Sequence, residues 1–294
     1  MEIIPLYGKT GIIETPITTV GIYRLSRDQA VLIDSGDYPR PELPELLERE
    51  GLAVRAVICT HLHPDHISNN PALVERYGAE IFAHEAERDS AKAIFDMLES
   101  MGQYPQWTKI RPMYPITWLS GGQEEVTVDG APFRIIQTPG HSFGHIAVVT
   151  PDGVCCLGDA MMSVPRVRQA KLPYMEDADQ AIESMERIRE TQYPFYVTAH
   201  KGATPLEALE LMVDENVRVE LELYDRFLRM MDHPRSEEEA IRDFLVETGT
   251  WKGDGQVSWF VSHSAETQLM SLIRAGELKW HDGMVYAARQ MSRA

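Results

Sequence analysis

The sequence predicts an α/β protein that carries a small helical module at its C-terminal end. Short apolar or alternating runs typical of strands recur up to residue 199, and several of them are separated by helix-type periodicity. From Pro205 onward, helical periodicity dominates. The chain has 294 residues, 44% of them hydrophobic, which suits one large domain with an appendage and a full core. We therefore predict two domains, 1–204 and 205–294.

The predicted elements of the first half alternate between strands and helices. In order, they are strand candidates within 1–36, a short helix at 41–50, a buried strand at 53–59, a helix at 70–76, a strand at 79–83 and an acidic helix from 85 to about 100. The segment 101–118 is rich in proline and aromatic residues and lacks periodicity. We expect it to form a lid, a pocket wall or an aromatic clamp on the body.

The second half contains further strand candidates and then mostly helices. The elements are strands at 125–128, 133–137, 145–149, 153–157 and 195–199, helices at 179–191, 205–231, 236–248 and 263–275, and a hairpin at 277–287. Ser236 begins a capping-box pattern, and the Asp282-Gly283 pair is a turn signal.

Composition excludes several classes of protein. A net charge of −17 argues against a general polyanion binder, because binding a phosphate backbone depends on Lys and Arg. The three cysteines lie in apolar runs and predict reduced packing residues. We find neither a basic, apolar leader nor a membrane-length apolar run, so we expect a soluble cytoplasmic protein with no membrane partner.

The run His61-Leu62-His63-Pro64-Asp65-His66 places three imidazoles and a carboxylate within six residues at the exit of a predicted strand. We expect Pro64 to prevent a helix from starting immediately, so that these side chains lie on a rigid loop. Alternate residues of an extended loop point the same way, so His61, His63 and Asp65 can converge while His66 reaches from the next position. This arrangement suits two adjacent metal ions better than one.

Other predicted strands end in side chains of the same kind. His141 lies in a glycine-flanked turn, Asp159 follows Gly158 at a strand end, and His200 follows the strand at 195–199. Asp34 ends an earlier strand, where it either orients a metal-binding histidine or accepts hydrogen bonds from turn amides.

The set formed by His61, His63, Asp65, His66, His141, Asp159 and His200 resembles that of the metallo-β-lactamase superfamily. The resemblance comprises the HxHxDH cluster, a Pro-Gly-His-Ser-x-Gly-His element, the Gly-Asp strand end and a final histidine, and it spans roughly residues 1–204. It implies a four-layer αββα sandwich with a dinuclear metal site at one edge of the two sheets.

The resemblance also implies a role for each residue of the set. His61, His63 and His141 would bind the first metal, Asp65, His66 and His200 would bind the second, and Asp159 would bridge them. The imidazole and carboxylate donors suit two zinc ions first, with iron or manganese as alternatives. Asp65 would act in catalysis by orienting a bridging hydroxide, whereas Asp34 and His145 would hold the ligands in place from behind.

The function that this resemblance implies is metal-dependent hydrolysis of a small-molecule ester, thioester or lactone. Asp159 stands where antibiotic-degrading members commonly have Cys or Ser, and His63 stands where oxygen-reducing members usually have Glu. Two alternatives remain open, a metal-dependent endoribonuclease and a mononuclear-iron persulfide dioxygenase.

The C-terminal helices and hairpin resemble a winged-helix module, which in one branch of the superfamily packs over the metal domain. From residue 205 onward there are 10 Lys and Arg against 17 Asp and Glu, so we do not expect nucleic-acid binding. The module is expected to cover the pocket, and a homodimer contact is the second expected use of its apolar faces.

Overall fold

The structure of the protein is a computed structural model that describes residues 1–37, 41–101, 111–253, 255 and 257–288. Two β-sheets pack face to face, and a third, small sheet lies in the C-terminal part. The prediction of an α/β class is confirmed.

The first sheet has seven strands in chain order. They are β1 (Ile3–Tyr7), β2 (Thr10–Glu14), β3 (Thr19–Arg24), β4 (Gln29–Ile33), β5 (Ala53–Ile58), β6 (Glu80–His84) and β7 (Thr117–Leu119). β1 to β4 pair antiparallel, and β4 to β7 pair parallel. Helices connect the parallel strands, as crossover connections require: α1 (Glu42–Arg49), α2 (Pro64–Ile67), α3 (Asn70–Tyr77) and α4 (Glu87–Met101).

The second sheet has six strands in the order β13-β12-β11-β10-β9-β8. They are β8 (Glu125–Val128), β9 (Ala131–Gln137), β10 (Ile146–Val149), β11 (Val154–Gly158), β12 (Phe195–Thr198) and β13 (Ala203–Pro205). β11 and β12 pair parallel, and α6 (Ala178–Arg189) connects them after the short α5 (Val164–Val167).

The apolar residues form layers, because successive side chains of a strand point to opposite faces of its sheet. Val31 and Ile33 face the second sheet, whereas Leu32 faces α1, α3 and α4. In the second sheet, Cys155 likewise faces the outer helices, whereas Cys156 faces the first sheet. The order of layers is therefore helix, sheet, sheet, helix, as the resemblance to the metallo-β-lactamase superfamily implies.

The C-terminal part begins with a single 3-10 turn (Leu206–Ala208) and the long helix α7 (Leu209–Met230). Its further elements are β14 (Arg235–Ser236), α8 (Glu237–Glu247), α9 (Trp259–Arg274), β15 (Leu278–His281) and β16 (Met284–Ala287). The first turns of α7 pack against the second sheet through Leu209 and Met212, and its last turns pack against α8 and α9 through Phe227. α7 thus belongs to both bodies, and the boundary at 204/205 stays a prediction. We call residues 209–288 the C-terminal module.

Most predicted elements agree with the structure within a few residues, and the capping box at Ser236 is present. The expectation for Pro64 is wrong, because Pro64 occupies the first position of α2, where its missing N–H costs nothing. Asp65 and His66 therefore lie on a helical turn rather than on an extended loop. The last long helix starts at Trp259, four residues before the predicted start, where Trp259 and Phe260 pack against Tyr174.

Two further findings concern parts of the chain. Half of the segment 101–118, for which we predict a lid, a pocket wall or an aromatic clamp, is formed by residues 102–110, which lie outside the described residues. Within the described ranges, none of the helices has the length and apolar character needed to cross a membrane.

Candidate metal centre

The structure brings all seven predicted ligand side chains together at one edge of the sandwich. Parallel strands deliver their carboxyl ends to the same edge, so the residues after β5, β11 and β12 meet there. Those residues are the 61–66 run, Asp159 and His200, and the turn after β9 adds His141. Which of these side chains bind a metal stays a prediction.

The first group consists of His61, His63 and His141, which are all buried. The Nε2 atom of His141 lies 2.9 Å from Nδ1 of His63. His141 Nδ1–H donates to the backbone carbonyl of Tyr174 over 3.0 Å, so its Nε2 carries the lone pair that a metal needs.

The second group consists of Asp65, His66 and His200. His66 is buried, whereas the Asp65 and His200 side chains are 23% and 20% exposed. The Asp65 Oδ2 atom lies 3.8 Å from His66 Nε2 and 3.9 Å from His200 Nε2. The second group therefore forms the side of the site that solvent and a substrate can reach.

Asp159 lies between the two groups. Its Oδ2 atom is 3.4 Å from Nε2 of His141, 3.6 Å from Nε2 of His66 and 3.1 Å from Nε2 of His200. The preceding residue, Gly158, has φ +53°, and a Cβ there would lie 2.6 Å from Thr60 Oγ1. Glycine is thus required for Asp159 to reach this position.

Asp34 fixes the orientation of two of the histidines. It accepts hydrogen bonds from Thr60 N–H (2.7 Å), the Thr60 hydroxyl (2.9 Å) and His66 Nδ1–H (2.8 Å). Because the Thr60 hydroxyl proton goes to Asp34, Thr60 Oγ1 accepts from His61 Nδ1–H over 3.0 Å. Both rings therefore present Nε2 to the site, and Asp34 itself sits at φ +62°, which Asp tolerates better than most residues.

His145 belongs to none of the groups that could hold a metal and lies behind Asp159. Its Nε2 accepts from the backbone N–H of Asp159 over 3.0 Å, and its Nδ1–H donates to Thr138 Oγ1 over 2.8 Å. Both ring nitrogens are thus engaged, and His145 positions Asp159. His84, in contrast, accepts a backbone N–H from Ala86 and belongs to none of the groups.

Several buried polar atoms of this cluster have no hydrogen-bond partner within the described part of the chain. They include His61 Nε2, His66 Nε2 and Asp159 Oδ1. A buried polar atom without a partner costs about 1–3 kcal/mol, so three in one cluster need an explanation. A divalent cation supplies the missing partner for each of them, and the donors present fit zinc, iron or manganese.

The first group is held in the neutral state. Burial lowers the pKa of His63 and of His141 to about 3 and lowers that of His61 well below its ordinary value, with neighbouring histidines adding to the shift. A neutral imidazole is the form that binds a metal. These three rings are ready to bind without losing a proton.

In the second group, nearby carboxylates favour the protonated form of the histidines, and these histidines in turn favour the ionised form of Asp159. Burial opposes protonation of His66, but the carboxylates of Asp159, Asp34 and Asp65 outweigh it and raise the pKa of His66. The carboxylate of Asp159 raises the pKa of His200 to about 9. For Asp159, burial favours the neutral acid, yet His200, His66 and His141 hold its pKa well below the ordinary value.

Glu87 supports both histidine loops, and sequence reasoning missed it. Its buried carboxylate accepts from Leu62 N–H (2.8 Å), the Ser142 hydroxyl (2.6 Å) and Gly144 N–H (2.9 Å). Burial raises its pKa despite these three donors. An acidic residue in the first turn of a helix is common, so the sequence contains no signal that would single it out.

The C-terminal module contacts the first group through Tyr174. The Tyr174 ring centre lies 5.5 Å from that of His63 and 5.3 Å from that of His141. On its other side it meets Phe260 and His263 of α9, at 5.6 and 5.8 Å. Sequence reasoning missed Tyr174 as well. Tyr174 orients His141 through its backbone carbonyl, and every residue has such a group, so the sequence gives no signal for it.

Comparison with known proteins agrees with this geometry. Residues 15–200 match the model of the metallo-beta-lactamase superfamily. A hydroxyacylglutathione hydrolase of Chromohalobacter salexigens is 30% identical over 138 residues, which are 46% of this chain and 44% of that protein. The chain thus spans less than half the length of that relative. The Beta-lactamase-like protein 2 homolog of Drosophila melanogaster is 21% identical over 229 residues, 76% of this chain and 73% of that protein.

Two solved structures share the fold over nearly the whole chain, including the C-terminal module. A metallo-beta-lactamase family protein from Thermus thermophilus has a TM-score of 0.71 at 19% identity and covers 94% of this chain and 97% of its own. A Beta-lactamase domain protein from Burkholderia ambifaria has a TM-score of 0.71 at 17% identity and covers 97% of this chain and 93% of its own. The chain belongs to the metallo-beta-lactamase superfamily.

Proposed function

We propose that the protein binds two divalent metal ions and hydrolyses a small-molecule ester, thioester or lactone. The observation that carries this proposal is the position of Asp159, whose Oδ2 atom lies within 3.1 to 3.6 Å of histidine nitrogens from both groups. A carboxylate in such a position can bridge two cations, and a bridged pair is the arrangement that two-metal hydrolysis uses.

The two groups offer three side chains each, with nitrogen and oxygen donors only. This donor set favours zinc first, and iron or manganese also suit it. When bound, two such ions would lower the pKa of a water molecule to near neutrality and polarise the scissile carbonyl.

The residues of the chain contribute orientation and proton transfer. The Asp65 Oδ2 atom is on the accessible side of the site and can accept a proton from the attacking water and pass it to the leaving group. Asp34, through Thr60 for His61, and the Tyr174 carbonyl fix Nδ1 as the protonated nitrogen of His61, His66 and His141, so that Nε2 is the ligand nitrogen of each neutral ring. The buried first group closes the opposite side to solvent.

The substrate class rests on similarity together with charge. Relatives matching about 40–46% of this chain are named hydroxyacylglutathione hydrolases, and a hydroxyacylglutathione is a thioester. The net charge of −17 disfavours an RNA substrate, because RNA binding draws on cationic side chains.

We assign a covering role to the C-terminal module. Its α9 residues Phe260 and His263 pack on Tyr174, which in turn packs on the first group. The order of one helix, a short strand, two helices and two strands supports a winged-helix-like fold for residues 205–294, used here to shape the pocket. A homodimer contact through its apolar faces is a second use.

The three cysteines are free and buried, which suits the cytoplasmic location that we propose for the protein.

The test combines metal quantification with a substrate panel. The purified protein, loaded with zinc, iron or manganese, is assayed by mass spectrometry for metal content. It is then assayed for hydrolysis of a thioester, an ester and a lactone, and for cleavage of single-stranded RNA. We expect two metals per chain and hydrolysis of at least one small molecule, with activity lost on chelation and restored by metal.

Asp159→Ala is the informative variant, and Asp225→Ala, an exposed carboxylate on α7, is its matched control. We expect Asp159→Ala to lose at least one metal and to reduce hydrolysis by about 10²–10³-fold, whereas Asp225→Ala changes neither. RNA cleavage without small-molecule hydrolysis would favour the endoribonuclease. A single bound iron with no hydrolysis would favour the persulfide dioxygenase.

A further inference from the structure

A cleft of ≈ 350 Å³ lies on the helix-covered face of the first sheet. Its floor is apolar, because Leu62, Ala91 and Phe95 belong to the buried core between this sheet and its helices. Tyr114, from the segment before β7, and Trp118, within β7, line it as well. The cleft therefore offers a concave, partly aromatic surface to a flat apolar group.

Three cationic side chains also line this cleft, namely Arg88, Lys92 and Arg111. Two of them are partly neutralised, since Lys92 and Arg111 both pair with Asp96 and Arg111 also approaches Glu99 at 3.4 Å. The three cationic side chains and the two carboxylates together carry one net positive charge. A cationic cleft stands out on a chain whose net charge is −17.

Arg88 carries the positive charge that remains. Its guanidinium carbon lies 4.8 Å from the centre of the Trp118 ring, and it forms no ion pair within the described ranges. A guanidinium held over an indole is kept in place without having its charge cancelled. It can still donate its N–H groups to an anion, in the forked geometry that suits carboxylate, sulfonate or phosphate oxygens.

The cleft is separate from the metal centre. Leu62 lies between His61 and His63 in the sequence, but its side chain belongs to the buried core with Ala91 and Phe95 of α4. None of the residues that line the cleft belongs to either metal group. A ligand here would rest behind the histidine loop and would not contact the metal ligands.

We propose that this cleft is a second binding site, which takes a small anion with a flat apolar body. The aromatic or apolar body lies against the partly exposed side chains of Tyr114, Ile116 and Trp118. The anionic group is held by Arg88, with Lys92 and Arg111 adding long-range attraction. This proposal does not depend on the hydrolytic reaction, and binding alone tests it.

The probe is 1-naphthalenesulfonate, because a sulfonate is a weak metal ligand and its ring system fits the cleft. It is titrated by calorimetry into the full-length, metal-loaded protein, and the uncharged 1-naphthalenemethanol is titrated in parallel. We expect saturable binding at one site per chain, with the uncharged analogue weaker by about tenfold or more, since it lacks the charge-assisted contact.

Variants then locate the site. Arg88→Gln and Trp118→Leu should each weaken binding of the sulfonate by about tenfold. Arg27→Gln removes the same charge from an exposed turn between β3 and β4 and should leave binding unchanged. Asp159→Ala, which alters the metal centre, should also bind the sulfonate as the unmodified protein does. Circular dichroism verifies that each variant is folded.

Three results would overturn the proposal. They are the absence of saturable binding, equal affinity of the folded Arg88→Gln and Arg27→Gln variants, and loss of binding in Asp159→Ala, which would assign the sulfonate to the metal centre. If Arg88→Gln does not fold, Trp118→Leu alone decides between binding in the cleft and binding elsewhere.

Discussion

The two halves of the candidate metal centre differ in burial and in charge. His61, His63 and His141 are buried imidazoles whose pKa values lie well below the ordinary one. His66 and His200 sit among carboxylates that raise their pKa values, and His200 and Asp65 are partly exposed. The same residue type is thus held neutral in one half and favours protonation in the other.

This difference shows that burial and charged neighbours act on histidine in opposite directions. Desolvation alone disfavours the imidazolium ion, whereas a nearby carboxylate stabilises it. In the first group desolvation prevails, and in the second group the carboxylates prevail. We therefore expect the two metal sites to differ in how they respond to pH, to loss of an orienting hydrogen bond and to loss of a contact from the C-terminal module.

The largest expected difference concerns pH. A metal must displace the proton from His200, whose pKa in the metal-free protein is about 9, so the affinity of the second site falls as pH drops below that value. Between pH 8 and pH 6 the proton on His200 alone lowers the affinity by about 10²-fold, roughly tenfold per pH unit, and the proton on His66, whose pKa is also raised, adds to this loss. The first site changes little in this range, because the pKa values of His63 and His141 are about 3.

The measurement is a metal titration of the metal-free protein at pH 6 and pH 8, in competition with a chromophoric chelator. We expect one tight site at both pH values and a second site that is tight only at pH 8. Equal pH dependence of the two sites would contradict the electrostatic contrast between the groups.

A smaller difference is expected from the hydrogen bonds of Asp34. Asp34→Asn keeps the size and tolerates the positive φ, but an amide cannot accept from Thr60 N–H, the Thr60 hydroxyl and His66 Nδ1–H together. We expect metal affinity to fall by about 10–100-fold, mainly at the second site, because His66 loses its direct partner. The same competition titration measures this change.

Thr60→Val is the matched comparison for Asp34→Asn. It removes the Thr60 hydroxyl and with it the bonds to His61 Nδ1 and to Asp34, but it leaves the bond between Asp34 and His66 in place. The loss should therefore appear mainly at the first site. If both variants weakened the same site, the assignment of Asp34 and Thr60 to different halves would be wrong.

The smallest expected effect comes from the C-terminal module. The Thr267 hydroxyl donates to the Met175 carbonyl over 3.0 Å, next to the Tyr174 carbonyl that orients His141. Thr267→Val should destabilise the protein by about 1 kcal/mol and lower the melting temperature by roughly 2 °C. Thermal unfolding measures the shift, with the exposed Thr127→Val as control. A slight loss of metal affinity should be confined to the first site, because the contact acts through the Tyr174 carbonyl on His141. An equal loss of metal affinity at both sites would contradict this explanation.

Much of the fold was accessible from the sequence. The apolar runs and helical periodicity predict the longer strands and helices, because those patterns reflect which face is buried. The short elements α2, α5, β7, β13 and β14 were not predicted. The interpretation of Pro64 failed because proline is compatible with a helix at its first position, and only the surrounding chain decides which geometry it adopts. The start of α9 was placed too late because its first turn is stabilised by contact with Tyr174, which is distant in sequence.

The sequence by itself determined which chemistry the site can hold, since the candidate ligand side chains are histidines and aspartates at strand exits and parallel strands end at a common edge. Only the tertiary structure decided how each side chain is used. Asp34 acts on two histidines, His145 supports Asp159, and Glu87 joins the loops of the first group. Such contacts connect residues 14 to 57 positions apart, and they depend on burial and hydrogen-bond geometry that no local pattern records.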